Sequence, residues 1–352
     1  MNFPPGDAVR RLLDWFRREA VVHPWDPDRA DAWGIWVSEV MLQQTTVAAV
    51  RPRYERWMAR FPDPRSLAAA SEDEVLREWE GLGYYNRVRN LASAASEVTD
   101  TYGGDIPRSA AELRRLPGVG DYIAAAVASF AFGEPAAAVE ANGRRLAMRL
   151  TGRDSWSAEL DRSFRSWVEE NMPRTRPGIL NAAVMQLGQR VCTPRRPDCP
   201  ACPLMPDCAA RAEGREEAIP ARRSRTTESK TTVLALCLNE GRTYLRRRSS
   251  GIGRGLWVFP AASDFDDREL GPAVERLPER LHAYTRFRET LDPRVYRIPD
   301  STAAPWNGDD AGEWVLLAEL GRRPMPTAYR RIADDLLEYA CAGASESRIM
   351  EP

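Results

Sequence analysis

The sequence predicts two domains of different class: a mainly α-helical domain over residues 1–215 and a smaller α/β domain over residues 231–352, joined by a linker at 216–230. Three observations predict this. Apolar residues recur at helical spacing through the first part of the chain. The chain then turns charged and polar around Pro220 and Arg222-Arg223-Ser224-Arg225. Beyond Lys230 the alternation becomes strand-like. At 352 residues the chain is long for one domain, and a hydrophobic fraction of 43% is ample for two cores.

Taken in order, Val9, Leu12, Leu13 and Phe16 have helical periodicity, as do Val37, Val40, Met41 and Val47. Ser71 before Glu72-Asp73-Glu74 marks a helix start in the segment that ends at Trp79. Helical patterns over 110–115 and 122–132 flank Leu116-Pro117-Gly118-Val119-Gly120, and another over 179–191 leads into a cysteine-rich stretch. In the second part, Thr231–Leu238 and Thr243–Arg247 read as a hairpin about Asn239-Glu240-Gly241. Residues 257–260, 294–298 and 314–316 read as strands, and 270–281 and 329–339 as helices.

Fifty basic and 51 acidic residues nearly cancel, so bulk charge does not announce a nucleic-acid partner. No apolar run reaches the roughly 18 residues of a membrane span. The start of the chain has no signal-peptide core, so a cytoplasmic protein is expected. Lys230 is the only lysine, which leaves one side chain for any mechanism that needs a primary amine.

Cys192, Cys199, Cys202 and Cys208 follow the spacing C-x6-C-x2-C-x5-C. Thiolates gathered this tightly call for a soft metal or a cluster that compensates their charge. A structural zinc site usually shows two C-x2-C pairs or adds histidine, whereas four cysteines at uneven spacing suit a [4Fe-4S] cluster. Two disulfides are the plain alternative. Cys237 and Cys341 read as isolated buried thiols. Inside the first cysteine loop, Arg195 and Arg196 offer a phosphate contact on a metal-pinned turn; a solvated charge pair is the alternative.

Four further stretches carry chemistry. Gly118-Val119-Gly120 leaves backbone N–H groups unobstructed at a helix N-terminus, a geometry that binds phosphate, though it also serves as a simple helix turn. Ser38–Thr45 puts Glu39, Gln43 and Gln44 on a mostly apolar helix, so Glu39 is either a general acid with a raised pKa or part of a solvated face. Gly81–Arg87 brackets Tyr84, Tyr85 and Arg87 with glycines; such a loop wedges an aromatic between bases, or its tyrosines fill a core. Glu140 opens a helix with Asn142 beside it and Arg144-Arg145 behind, as a second catalytic carboxylate or as a plain cap. Two carboxylates around a scissile bond to a sugar are the usual apparatus of glycosidic cleavage.

Together SEVMLQQT, GLGYY, LPGVG-x-Y and the four-cysteine signature resemble the helix-hairpin-helix DNA glycosylases of the MutY type, the adenine DNA glycosylases. The likeness runs from about Val9 to Lys230 and more weakly to the C-terminus. It implies a helix-hairpin-helix domain with an iron–sulfur module, a Nudix-like C-terminal domain that reads the opposite strand, and a [4Fe-4S] cofactor. Double-stranded DNA with a mispair or lesion is the implied partner, and a monomer is expected. In that resemblance Glu39 protonates the purine at N7, and Glu140 stabilises the sugar cation with Tyr122 and Asn142 beside it. Gln44 and Tyr84 match the residues that wedge into the duplex as the base flips out. Gln43, Arg87, Gly118, Val119, Gly120, Arg144, Arg195 and Arg196 complete the implied DNA contacts. Endonuclease III, which shares hairpin and cluster, has a catalytic lysine where this chain has Tyr122, so a monofunctional glycosylase without lyase activity is implied.

The chain also departs from the family. Glu140 stands for an aspartate, Asp26 for an arginine and Ala182 for a glutamine or glutamate. Tyr284-Thr285-Arg286 falls on the family's Phe-Ser-His reader of 8-oxoguanine. The glutamate-rich Nudix metal signature is missing from residues 251–281, which speaks against nucleotide hydrolysis. Three functions are therefore open: adenine removal opposite 8-oxoguanine or guanine, removal of another or modified purine, and lesion binding without catalysis.

Overall fold

The computed structural model describes residues 3–221, 228–265, 270–284, 287–299 and 312–349. The chain forms two compact units. The first comprises Met1–Ala69 and Arg89–Ser224, the second Ala70–Val88 and Arg225–Pro352.

The helices before the sheet are α1 (Gly6–Glu19), α2 (Ala32–Leu42), α3 (Val47–Arg60), α4 (Pro64–Ala68), α5 (Glu72–Glu78) and α6 (Asn86–Tyr102). They continue as α7 (Ala110–Leu113), α8 (Asp121–Ala131), α9 (Ala141–Leu150), α10 (Ala158–Glu170), α11 (Gly178–Arg190) and α12 (Ala209–Ala212). Side-chain caps set many of their starts, as expected for Ser and Asp ahead of an apolar run. Asp31 accepts from Gly34 N at 2.8 Å, and Ser71 from Glu74 N at 3.3 Å.

The periodic run from Val37 to Val47 is two helices, not one. Gln44 takes a left-handed φ of 57°, which no helix continues, and Thr46 caps α3 by accepting from Ala49 N. The core of the first unit gathers Leu12, Trp15, Leu146, Phe164, Trp167 and Leu180 from α1, α9, α10 and α11. Helix α2 packs on α8, and α9 on α11.

In the second unit β1 (Glu228–Asn239), β2 (Arg242–Arg247), β3 (Trp257–Val258), β4 (Glu275–Arg276), β5 (Arg280–Ala283), β6 (Phe287–Arg297) and β7 (Gly312–Leu316) form a mixed sheet, closed by helix α13 (Thr327–Ile349). The sheet order is β3-β2-β1-β6-β4, with β7 on β2 and β5 on β6. The expected hairpin is β1–β2, with Leu238 opposite Thr243 and Glu240-Gly241 turning at φ 42° and 74°. Strand alternation splits β1 between two cores: Leu234 and Leu236 face the cluster that includes Ile332 and Leu336 of α13, and Ala235 and Cys237 face Tyr244 and Tyr296.

The expected helix over 270–281 is instead the pair of short strands β4 and β5, both antiparallel to β6. Pro272 and Pro278 each remove a donor that a helix needs, while an extended chain can use the edge of β6. Cys341 is exposed rather than buried, whereas Cys237 is buried. None of the six cysteines is paired in a disulfide, which removes the disulfide alternative. Among the described residues, no helix is long and apolar enough to cross a membrane.

Candidate active site

Glu39 sits on α2, whose residues Trp33 to Met41 are all buried. The helix is apolar around its whole circumference, so one carboxyl among them has no water to turn to. Gly34 allows α3 to approach, because a Cβ there would come within 2.6 Å of the Tyr54 hydroxyl. Glu39 is only 6% exposed. Burial raises its pKa from 4.5 to about 7, the Tyr122 hydrogen bond pulls the other way, and the nearby charge of Glu140 adds to the rise. The solvated-face alternative does not hold for this residue.

Tyr122, in the first turn of α8, donates its hydroxyl to Glu39 Oε2. Burial first, then Glu39 and Glu140, push its pKa well above the ordinary tyrosine value. The phenol therefore stays protonated and acts as a donor. Glu140 precedes α9 and accepts from Asn142 N at 2.8 Å and Gly143 N at 3.1 Å. It is thus a helix cap as well as a neighbour of Glu39, and the two readings of this residue are compatible.

The extended segment before Glu140 is pinned by Asn181 of α11, which accepts from Ala138 N at 3.1 Å and donates to Ala136 O at 2.9 Å. Arg145 Nη2 donates to Asn142 Oδ1 at 2.7 Å and to Gly188 O at 2.8 Å, and its Nε to Cys192 O at 2.8 Å. Gly188 is needed for this approach of α9 and α11: a Cβ there would lie 2.5 Å from the Asn142 Cβ. Sequence reading passed over Asn181 and Arg149 and gave Arg145 no role beyond a base behind Glu140, because their partners are largely far along the chain.

Gly118 turns the hairpin between α7 and α8 at φ 73°, and a Cβ there would collide with Asn90 at 2.4 Å. Gly120 precedes α8 with open space where a Cβ would stand. Val119 buries its side chain, so only its backbone is available to a ligand. Gln43 is half-buried at the C-terminus of α2, and Gln44 is exposed. Arg144 is exposed and lies over the Trp156 ring. Asp26 holds a local turn by accepting from His23 N at 2.8 Å, and Ala182 is half-buried on α11.

In the second unit, Tyr84 is 48% exposed and has a left-handed φ of 48°. Arg87 spends its guanidinium on the loop itself, donating to Leu82 O at 2.9 Å and Gly83 O at 3.2 Å. Tyr284 stacks on Phe287 with centroids 4.2 Å apart. Thr285 and Arg286 lie outside the described residues.

Cys192, Cys199, Cys202 and Cys208 line one small cavity with Leu146 and Arg149. Among the described residues no group of three or more His, Cys, Asp or Glu could hold a single metal ion. A cubane cluster asks for something else, one thiolate for each of four irons around a shared space. Burial, with the neighbouring thiols adding, pushes Cys202 up to about 12, so these sulfurs need a cationic group to become thiolates. Arg149, 1% exposed, donates to Cys192 Sγ at 3.3 Å and to Thr193 O at 2.8 Å. The donor set fits a [4Fe-4S] group. Arg195 and Arg196 are exposed on the first cysteine loop, where Thr193 Oγ1 donates to Arg195 O at 2.7 Å.

The family of HhH-GPD superfamily base excision DNA repair proteins matches residues 37–170, and the NUDIX domain matches residues 232–335. The adenine DNA glycosylase of Rattus norvegicus is 41% identical over 97% of this chain and 81% of its own length. That of Homo sapiens is 42% identical over 97% of this chain and 76% of its own. The chain belongs to the adenine DNA glycosylase family. Among solved structures, a thermostable thymine-DNA glycosylase aligns with a TM-score of 0.53 at 25% identity, over 58% of this chain and 95% of its own. Endonuclease III trapped as a covalent DNA intermediate aligns with a TM-score of 0.50 at 28% identity, over 60% of this chain and 99% of its own. The expected helix-hairpin-helix glycosylase fold and Nudix-like second domain are thereby borne out. The family makes the chain a DNA N-glycosylase.

Proposed function

We propose that this protein is a monofunctional glycosylase that flips adenine, mispaired with 8-oxoguanine or guanine, out of duplex DNA and excises it in base excision repair. The observation that carries the reading is the pair Glu39 and Glu140. One carboxyl is buried with its pKa raised to about 7, and the other is held at a helix N-terminus near enough to raise it. The buried carboxyl with the raised pKa is suited to act as the acid, and the one that caps α9 to stabilise the sugar cation. Protonated Glu39 donates to the purine at N7 and makes the base a neutral leaving group. The bond from C1′ to N9 breaks, and the Glu140 carboxylate faces the resulting sugar cation until water adds at C1′ and gives up its proton to the Glu39 carboxylate. Tyr122 orients Glu39, and Asn142 N and Gly143 N orient Glu140.

The position after the hairpin that would carry an imine-forming lysine is Tyr122, and Lys230 lies on β1 within 3.2 Å of Glu289. This supports hydrolysis without lyase chemistry. Gln44 and Tyr84 serve as wedges, since both present a side chain from a left-handed backbone that only a constrained turn maintains. The hairpin 118–120 and Arg195-Arg196 take phosphates. Cys192, Cys199, Cys202 and Cys208 would hold a [4Fe-4S] cluster, whose contribution is to fix the fold of that loop. Residues 1–215, less residues 70–88, which group with the sheet, form the catalytic domain, and 231–352 the lesion-reading domain.

Glu140 in place of aspartate favours a second reading, removal of another purine by the same chemistry. A panel of duplexes, each with one base pair or lesion, separates the two readings when abasic products are cleaved with alkali. Adenine released opposite 8-oxoguanine is the expected outcome, with strand breaks only after alkali and no adduct trapped by borohydride. Release confined to a modified purine would select the second reading, and a trapped adduct would overturn the monofunctional one.

A further inference from the structure

The loop that presents Tyr84 is held at both ends by residues far along the chain. Residues 70–88 belong to the same compact unit as the C-terminal sheet. Arg330 in α13 donates from Nε to Glu80 Oε1 at 2.8 Å and from Nη2 to Glu80 Oε2 at 3.2 Å. The same guanidinium donates to Leu320 O at 2.7 Å and to the carbonyl of Arg323. It is thereby fixed against the turn 317–322 and cannot follow Glu80 if that residue moves. Met325 N reaches Glu80 Oε2 at 3.5 Å, and the Tyr85 hydroxyl donates to Met325 O at 3.2 Å. Arg247 on β2 adds an ion pair to Asp73 in α5.

These anchors bracket Tyr84 closely. Glu80 immediately precedes Gly81, and Tyr85 immediately follows Tyr84. Between them Gly81, Gly83 and Tyr84 have φ of 89°, 68° and 48°. Left-handed backbone at a tyrosine is disfavoured and persists only where the surroundings over-determine it. Inside the loop, Trp79 Nε1 donates to Gly83 O at 3.0 Å and the Arg87 guanidinium lies 5.5 Å from the Tyr84 ring centroid. Those contacts shape the loop but do not say where it stands. The Arg330–Glu80 pair does, and with 19% and 18% of these side chains exposed it is shielded enough to be stiff.

We propose that Arg330 is a positioning residue for base extrusion: the Nudix-like domain sets the pose of the Tyr84 wedge through the Arg330–Glu80 clamp and the Met325–Tyr85 contact. The inference rests on the wedge reading of Tyr84 and deepens it. The C-terminal domain then acts on the excision step itself as well as on recognition of the opposite strand.

The test is a double-mutant cycle in the full-length, cluster-loaded protein. Single-turnover excision is measured at saturating enzyme, with 2-aminopurine beside the target base reporting unstacking. Arg330→Met is expected to slow both signals by about tenfold to a hundredfold, the usual consequence of misplacing a group by about 1 Å. Glu80→Gln, which keeps the side-chain shape, should slow them less and serves if Arg330→Met does not accumulate. In a Tyr84→Ala background either change should cost little further. Equal losses in both backgrounds would overturn the clamp, because independent effects add. A Tyr84→Ala protein that excises at the full rate would instead remove the wedge reading, and the clamp with it.

Discussion

Arg145 bridges Asn142 and the cysteine loop: its guanidinium donates to Asn142 Oδ1 at 2.7 Å and to the Cys192 carbonyl at 2.8 Å. One buried cation therefore joins Asn142, the neighbour of Glu140, to a residue of the four-cysteine signature. Truncating one partner of such a network leaves the others buried and unpaired, which costs about 3–5 kcal/mol for a charged pair and less for polar ones. Arg145→Leu should lower both cluster occupancy, read from iron content, and the single-turnover rate. A variant with full iron and full rate would show that the bridge carries nothing between them.

The cysteine loop is expected to make the purified protein brown, with about four irons per chain. Cys199→Ser should lose the cluster and DNA affinity together, since the turn that presents Arg195 and Arg196 is then no longer pinned. Stoichiometric zinc in anaerobically purified protein would overturn this.

In the proposed mechanism protonated Glu39 is the donor, so its pKa, raised to about 7, sets the pH dependence. Excision should therefore be full below that value and fall as pH rises through it. Glu39→Gln should bind DNA but lose about 10²–10⁴-fold in rate, the usual worth of a general acid. An alkaline limb that persists unchanged in Glu39→Gln would assign it to another group. The stability of the wild type should also fall as pH rises from 4.5 towards and beyond about 7, because the folded state binds this proton more tightly than the unfolded chain. Urea melts of the wild type and Glu39→Gln across that range would show the difference.

Glu140→Asp tests the longer acid. Aspartate is a better helix cap than glutamate, so α9 should keep its start, and excision of adenine should be retained or improved. Glu140→Ala loses the cap, at about 0.5–2 kcal/mol, and should be inactive. Rates on adenine opposite 8-oxoguanine and opposite guanine, with weak discrimination expected in the wild type, decide whether the longer acid belongs with altered specificity. A strong 8-oxoguanine preference that collapses in Glu140→Asp would show instead that Glu140 is matched to the family reaction.

Much of the site was legible because its signals are local. Four cysteines within 17 residues, a glycine hairpin between two helices and a carboxyl in an apolar helix each declare themselves in a short window. Arg145, Arg149 and Asn181 did not, because in so arginine-rich a chain nothing local separates a buried guanidinium from a solvated one. Their partners, from Ala136 to Ile219, are set by tertiary packing. The segment 270–281 misled for the opposite reason: its apolar spacing suits a helix, but the open edge of β6 satisfies its backbone better than a helix broken by two prolines. Residues 70–88 group with the C-terminal sheet, to which ion pairs spanning more than 170 residues tie them, beyond any periodicity.

Gly188 makes the enzyme brittle at a position far in sequence from Glu39 and Glu140. Every other amino acid brings a Cβ to within 2.5 Å of the Asn142 Cβ and 3.3 Å of its Cα, and a backbone that starts a helix has little room to retreat. Any single-base missense change in its codon therefore presses on the α9 N-terminus and on the carboxylate it holds. At Gly188 the first substitution is already a lesion in the repair enzyme.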